Sequence, residues 1–216
     1  MRLFIALFAL TTPIVAQHPG PVIISELMWS GSSASSADEW IELYNRSNAT
    51  VDLSGWTLTR GGDDAIMLVL ETGSIAAGGV FLIANYAADH EKSRLAARPH
   101  HVTTAVSLSN TKLLLRLYDR DPLAGGRLVD TADDGRGAPL AGDGTTKKAM
   151  VRTIFHRAGD QPDSWATATE QSGWDAGASE WGTPGSIPAR LLPDHPTGVD
   201  TLTEPTTWAT LKKPAR

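Results

Sequence analysis

Residues 39–59 read EWIELYNRSNATVDLSGWTLT, and their pattern decides the fold class. In the first half Ile41 and Leu43 share one side of the chain while Trp40, Glu42 and Tyr44 share the other, the two-residue period of a half-buried strand. In the second half Trp56 and Leu58 alternate with Thr57 and Thr59, residue types that suit a pleated surface. Between them NRSNATVDLSG is rich in Asn, Asp, Ser and Gly, which favour reversals. The stretch is expected to be a hairpin opening a β-sandwich, with Trp56 plugging the space between sheets.

Working outward, VIISELMW at 22–29 is an opening strand, and SGSSASSAD at 30–38 is a small-residue loop expected to be mobile. AIMLVL at 65–70 and VFLIAN at 80–85 are apolar throughout, as strands covered on both faces would be. Residues 86–106 lack strand character; AADHEKSRLAAR within them predicts a short helix, in an insertion of the kind that often carries specificity. Leu113, Leu115 and Leu117 alternate with Leu114, Arg116 and Tyr118 in a further strand, RLVDT at 127–131 starts its partner, and AMVRTIF at 149–155 is the last clear strand. A Gly/Asp-rich loop fills 132–146, and a mostly irregular segment with three tryptophans closes the domain near residue 186.

The ends differ from the middle. Met1-Arg2 precedes the apolar run LFIALFAL and a small residue at Ala16, so residues 1–16 read as a secretory signal peptide. That run is far shorter than the roughly 20 residues of a membrane-spanning helix. Residues 187–216 carry five prolines and few large apolar side chains, and read as a flexible tail. The chain of 216 residues has 41% hydrophobic content, enough for one sizeable core over residues 20–186. Cysteine is absent, which excludes disulfides, thiolate metal sites and thiol nucleophiles. A net charge of −5 with no basic stripe gives no electrostatic case for nucleic acid or an anionic membrane.

The segments VIISELMW at 22–29, DEWIELYNRSN at 38–48, VDLSGWTLT at 51–59, IAAGGVFLIAN at 75–85, SLSNTKLLLRLYD at 107–119 and LVDTA at 128–132 follow one another as in a known family. With KKAMVRT at 147–153, SWATAT at 164–169 and GTPGS at 182–186, the chain resembles the lamin tail domain family, in its exported bacterial form. The resemblance spans about residues 20–186 and departs at Asn110-Thr111-Lys112, where the family tends to place Gly and an acidic residue. It implies an all-β, immunoglobulin-like β-sandwich without catalytic residues, used as an interaction or surface module and sometimes attached to hydrolases or nucleases.

The residues themselves offer few sites. Glu39 and Glu42 are an odd number apart on a strand and fall on opposite faces, so they cannot act as an acid–base pair. Asp119, Asp121, Asp130, Asp133, Asp134 and Asp143 are the best oxygen donors for calcium, but they lack the EF-hand spacing and are expected to serve turns. His90, His100 and His101 lack a zinc-ligand spacing, and no nucleophile elbow or phosphate-cradling loop occurs. The tryptophans of GWDAGASEWGTPG are expected to pack at a sheet edge, stacking on sugars or peptides being the alternative. The sequence therefore leads to no catalytic, cofactor or metal residue. It leads to an exported, non-catalytic module, located outside the cell or in the envelope, that binds an unidentified protein or glycan at the cell surface. Two alternatives stand beside this: assembly by sheet-edge pairing, and an accessory domain of a secreted hydrolase or nuclease acting in trans.

Overall fold

The computed structural model describes residues 19–192; the signal peptide expected at 1–16 and all but the first six residues of the tail expected at 187–216 lie outside the described residues. Twelve strands follow in chain order: β1 (Val22–Met28), β2 (Trp40–Asn45), β3 (Val51–Asp52), β4 (Thr57–Arg60), β5 (Ala65–Val69), β6 (Ser74–Ile75), β7 (Val80–Ala84), β8 (His101–Val102), β9 (Leu115–Tyr118), β10 (Leu128–Ala132), β11 (Met150–Arg152) and β12 (Trp165–Thr167). They form a six-stranded sheet in the order β12-β11-β1-β2-β7-β8 and a four-stranded sheet in the order β10-β9-β4-β5, with β3 and β6 pairing separately. All pairs are antiparallel except β7 with β8, so the architecture is the all-β, immunoglobulin-like sandwich expected.

The deciding stretch is not a hairpin. Its first strand, β2, pairs with β1 and β7 in the larger sheet, and its second, β4, pairs with β5 and β9 in the smaller one. Residues 46–56 are an arch that carries the chain from one sheet to the other. Alternation correctly sends Ile41, Leu43, Trp56 and Leu58 into one core between the sheets. It gives no information on which sheet each strand joins.

Strand β2 is buried on both faces, not one. Its second face carries Trp40, which packs with Met28, Leu82, Leu95 and Trp174 in a separate, smaller core. That core is roofed by the C-terminal segment, whose Trp174 ring lies 5.9 Å from the Trp40 ring. Conversely, β5 is not covered on both faces: Ile66 and Val69 are 46% and 43% exposed, because β5 is an edge strand. A register shift between Leu58 and Thr59 brings Met67 and Leu68 inward together, which leaves Ile66 and Val69 facing water.

Three further readings change. Residues 86–97 form turns held by His90 N–H to the Ala87 carbonyl and Ser93 N–H to the His90 carbonyl, with no helix. Trp165–Thr167 is a strand, β12, although it was expected to be irregular. Loop 30–38 is packed, with Gly31, Ser32 and Asp38 buried and the Ser33 amide on a Glu180 carboxylate oxygen at 2.5 Å. Gly31 adopts φ 61°, and a Cβ there would lie 2.4 Å from the Ser35 and Ser36 carbonyl oxygens, so the loop closes only around glycine.

Candidate functional site

Apart from Asp133, which serves its own turn, the buried carboxylates among the described residues fall into three sites, each held differently. The first is a cross-strand pair. A bulge at Ser25 shifts the register of β1, so that Ile24 faces Leu43 but Glu26 faces Glu42. Period-two counting places Glu26 beside Ile24; the bulge turns it to the opposite face and gives the core position to Leu27. Both glutamates are shut off from solvent, at 1% and 0% exposure. Their donors come almost wholly from the GTPGS segment. Thr183 N–H donates to Glu26 Oε1 at 2.9 Å and Thr183 Oγ1 to Oε2 at 2.8 Å. Gly185 N–H donates to Glu42 Oε2 at 2.8 Å, and Ser25 Oγ to Glu42 Oε1 at 2.8 Å. Gly182, at φ 145°, lets this segment approach; a Cβ there would lie 2.5 Å from Glu26 Oε1. Burial raises the Glu26 carboxyl to about 7 against the pull of the Thr183 bonds. Burial, then the Glu26 charge, raises Glu42 well above its ordinary value.

The second site joins the sheets. Asp130 on β10 meets Arg152 on β11 at 3.4 Å, and both side chains are buried. Asp130 Oδ2 also accepts the Ile24 N–H at 2.8 Å, and the Arg152 guanidinium lies 4.9 Å from the Trp165 ring centre. Burial lifts Asp130 to about 6, with Arg152 opposing the rise.

The third site is at loop 30–38. Asp38 and Glu180 are 1% and 0% exposed. Asp38 Oδ2 accepts the Arg94 N–H at 2.9 Å and Glu180 Oε1 accepts the Ser33 N–H, yet Asp38 Oδ1 and Glu180 Oε2 have no hydrogen-bond partner. Burial raises the Asp38 carboxyl, and the Glu180 charge adds to the rise.

The residues weighed from sequence have other employment. Glu39 and Glu42 are apart: Glu39 Oε2 takes the Leu108 N–H at 3.1 Å, whereas Glu42 meets Gly185. Asp119 binds the Arg127 N–H and Nε, and Asp121 takes the Leu123 N–H. Asp133 takes the amides of Asp134, Gly135 and Leu140, while Asp134 takes that of Arg136 and Asp143 those of Thr145 and Thr146. These are turn bonds, as expected of loop aspartates. His90 stacks on Tyr86 at 4.5 Å, and His100 stacks on Phe81 at 5.1 Å while its Nδ1 accepts the Leu82 N–H. Among the described residues, no group of three or more His, Asp and Glu side chains is placed to hold a metal ion. Of the closing tryptophans, Trp165 and Trp174 are buried with their indole N–H groups on the Gly159 and Gly182 carbonyls, and Trp181 is covered by the Lys148 ammonium at 5.0 Å.

One open surface adjoins the smaller sheet. A cleft of about 430 Å3 lies at the β4–β5 turn, lined by Arg60, Asp63, Ser107, Ser109, Lys112 and Leu114 among others. It is next to the exposed Ile66 of β5. No helix among the described residues is long and apolar enough to cross a membrane.

Two packed sheets and an arch between them define an immunoglobulin-like sandwich. The family model of the lamin tail domain matches residues 16–135, more than half of the chain. The chain belongs to the lamin tail domain family. The match ends before β11, so the GTPGS segment and the half of the second core supplied by Ala149, Val151, Ala168 and Trp174 lie beyond it. No curated protein matches the chain.

Proposed function

We propose that the chain is an exported, non-catalytic interaction module that binds a protein partner at or outside the cell surface. The observation that carries this is the contrast between inside and outside. The Glu26–Glu42 and Asp130–Arg152 groups are spent on holding the fold, whereas β5 presents Ile66 and Val69 to water beside the polar cleft at Arg60 and Lys112. Apolar side chains with flanking charges suit a protein contact. A glycan contact would call for several exposed aromatic faces, and among the described tryptophans only Trp181 is exposed, at 36%, with the Lys148 ammonium 5.0 Å from its ring. Export rests on the apolar run at 3–10 and the small residue at Ala16.

Expression of the full chain, with intact-mass measurement of the protein in medium and envelope fractions, tests export. Material beginning at Gln17 supports it, and full-length material confined to the cell interior overturns it. Pull-down from those fractions, run with wild type and with Ile66→Lys/Val69→Lys, tests the contact. A partner held by wild type and lost by the double variant supports the reading. Nothing held above background, with purified protein that cleaves nucleic acid or polysaccharide, overturns it.

Self-assembly through the β5 edge is the second reading, favoured by the same two side chains. The register shift within β4–β5 works against it, since a bulged edge offers a poor template for another strand. Light scattering over a wide concentration range separates the two.

A further inference from the structure

We infer that Asp38, Glu180 and loop 30–38 form a low-affinity site for a hard divalent cation, calcium being the chemical match. The inference starts from two carboxylate oxygens. Asp38 Oδ1 and Glu180 Oε2 are buried and have no hydrogen-bond partner, on residues exposed by only 1% and 0%. A buried carboxylate oxygen without a donor is costly, and buried charges are normally paired or bound to metal. Neither residue takes part in an ion pair among the described residues.

The two carboxylates are tied to one dipeptide. Glu180 Oε1 accepts the Ser33 N–H, and the Ser32 side chain bonds to Asp38. The Glu180 charge adds to the rise of the Asp38 carboxyl, while at Glu180 itself burial is outweighed by hydrogen bonds from Ser33 and the Ser179 and Glu180 amides, which hold it below its ordinary value. Groups facing this place from the neighbouring elements are the Ser93 side chain and the Arg94 amide, both directed at Asp38. The nearest cation bonded to the loop, Lys147, has its Nζ on the Ser30 carbonyl at 2.8 Å, and no ion pair joins it to either carboxylate. Loop 30–38 is also dense in carbonyl oxygens, since a Cβ on Gly31 would touch those of Ser35 and Ser36. A third buried oxygen without a partner, Asn85 Oδ1, belongs to a side chain whose Nδ2 donates to the Ala37 carbonyl at 3.0 Å.

Oxygen-only donors with no imidazole or thiolate select calcium over zinc or copper. Two carboxylates are few for a calcium site, so the remaining ligands are loop carbonyls and water. The affinity falls in the class of extracellular modules, with Kd on the order of 10⁻⁴–10⁻³ M. The site differs from Asp119, Asp121, Asp133, Asp134 and Asp143, whose oxygens already bind their own turns, and from Asp130, which is paired with Arg152. It also stands apart from the β5 surface, so it does not depend on the interaction reading above.

The test uses the full chain, stripped with chelator and titrated with calcium alone by calorimetry, with magnesium in parallel. Terbium, excited through tryptophan, gives a second readout because Trp40 lies two residues from Asp38. Expected are one calcium per chain, a melting temperature raised by millimolar calcium over chelator, and sensitised terbium emission that calcium displaces. Asp38→Asn and Glu180→Gln each weaken binding by roughly ten- to hundredfold, the scale met when supporting groups of a metal site are removed. Asp143→Asn leaves it unchanged. In chelator Asp38→Asn melts no lower than wild type, because it removes one of two like charges from a buried place. Wild type that takes up no calcium overturns the inference, as does binding that survives both substitutions. Should a variant fail to fold, the wild-type isotherm and terbium displacement decide alone.

Discussion

Asp130 and the Glu26–Glu42 pair are both buried acidic sites, and they are handled in opposite ways. Asp130 has a cation, Arg152, and its carboxyl rises to only about 6 despite burial. Glu26 and Glu42 have only hydroxyl and amide donors and face each other, so burial raises Glu26 to about 7 and burial with the Glu26 charge raises Glu42 well above its ordinary value. A cation opposes the cost of burying charge at Asp130, whereas at the glutamate pair only neutral donors do. An ion pair ties two sheets together at the first site. At the second, Thr183 and Gly185 donors tie a segment onto a sheet, and the cost of buried charge there grows as the pH rises.

The largest effect is expected from breaking the first site. Arg152→Met leaves Asp130 buried without its cation and should cost about 3–5 kcal/mol, measured by urea unfolding near neutral pH. The second site responds to pH with a definite sign. The unfolded carboxyl of Glu26 ionises near 4.5 and the folded one near 7, so the folded state binds the extra proton between these values. Stability is then greatest below pH 4.5 as far as this group is concerned, and falls as pH rises to about 7.

Glu26→Gln sharpens that contrast, because its amide still accepts from Thr183 N–H and can donate to Thr183 Oγ1. The variant should match wild type near pH 4.5 and exceed it near pH 8 by on the order of 1–3 kcal/mol, seen as a flatter profile of unfolding midpoint against pH. Removing one donor from the same site, Thr183→Ala, should cost about 1–2 kcal/mol in thermal unfolding. The smallest effect lies outside both sites: Ile66→Lys on the exposed edge should change stability by less than about 0.5 kcal/mol.

Much of the fold could be read from residue order, and the reasons it failed in places are specific. Alternation in 39–59 identified β2 and β4 and their core-facing residues. Strand partners depend on where the chain turns in space, so a hairpin and an arch look alike in sequence. An all-apolar run at 65–70 matched a covered strand, but the β5 bulge and its edge position leave Ile66 and Val69 in water. Glu26 was hidden by a similar device, the bulge at Ser25, which breaks the period that sequence reading relies on. Asp38 and Glu180 are separated by most of the chain, and only the packing of loop 30–38 brings them to one dipeptide.

The arrangement of β1 sets an order of assembly. Its two neighbours are β2, which follows after the loop at 29–39, and β11, whose Met150 and Val151 pair with Leu27 and Glu26 across more than a hundred residues. Until β11 is available, β1 is an unpaired edge and Glu26, Glu42 and Trp40 face water. Pairing over such separations is slow, and an open edge is a site for wrong association. The family-matched stretch, 16–135, stops on the wrong side of this event. Nascent chain must be kept from premature pairing until its last third arrives, and a fragment cut after residue 135 would present a central strand of the larger sheet as its edge.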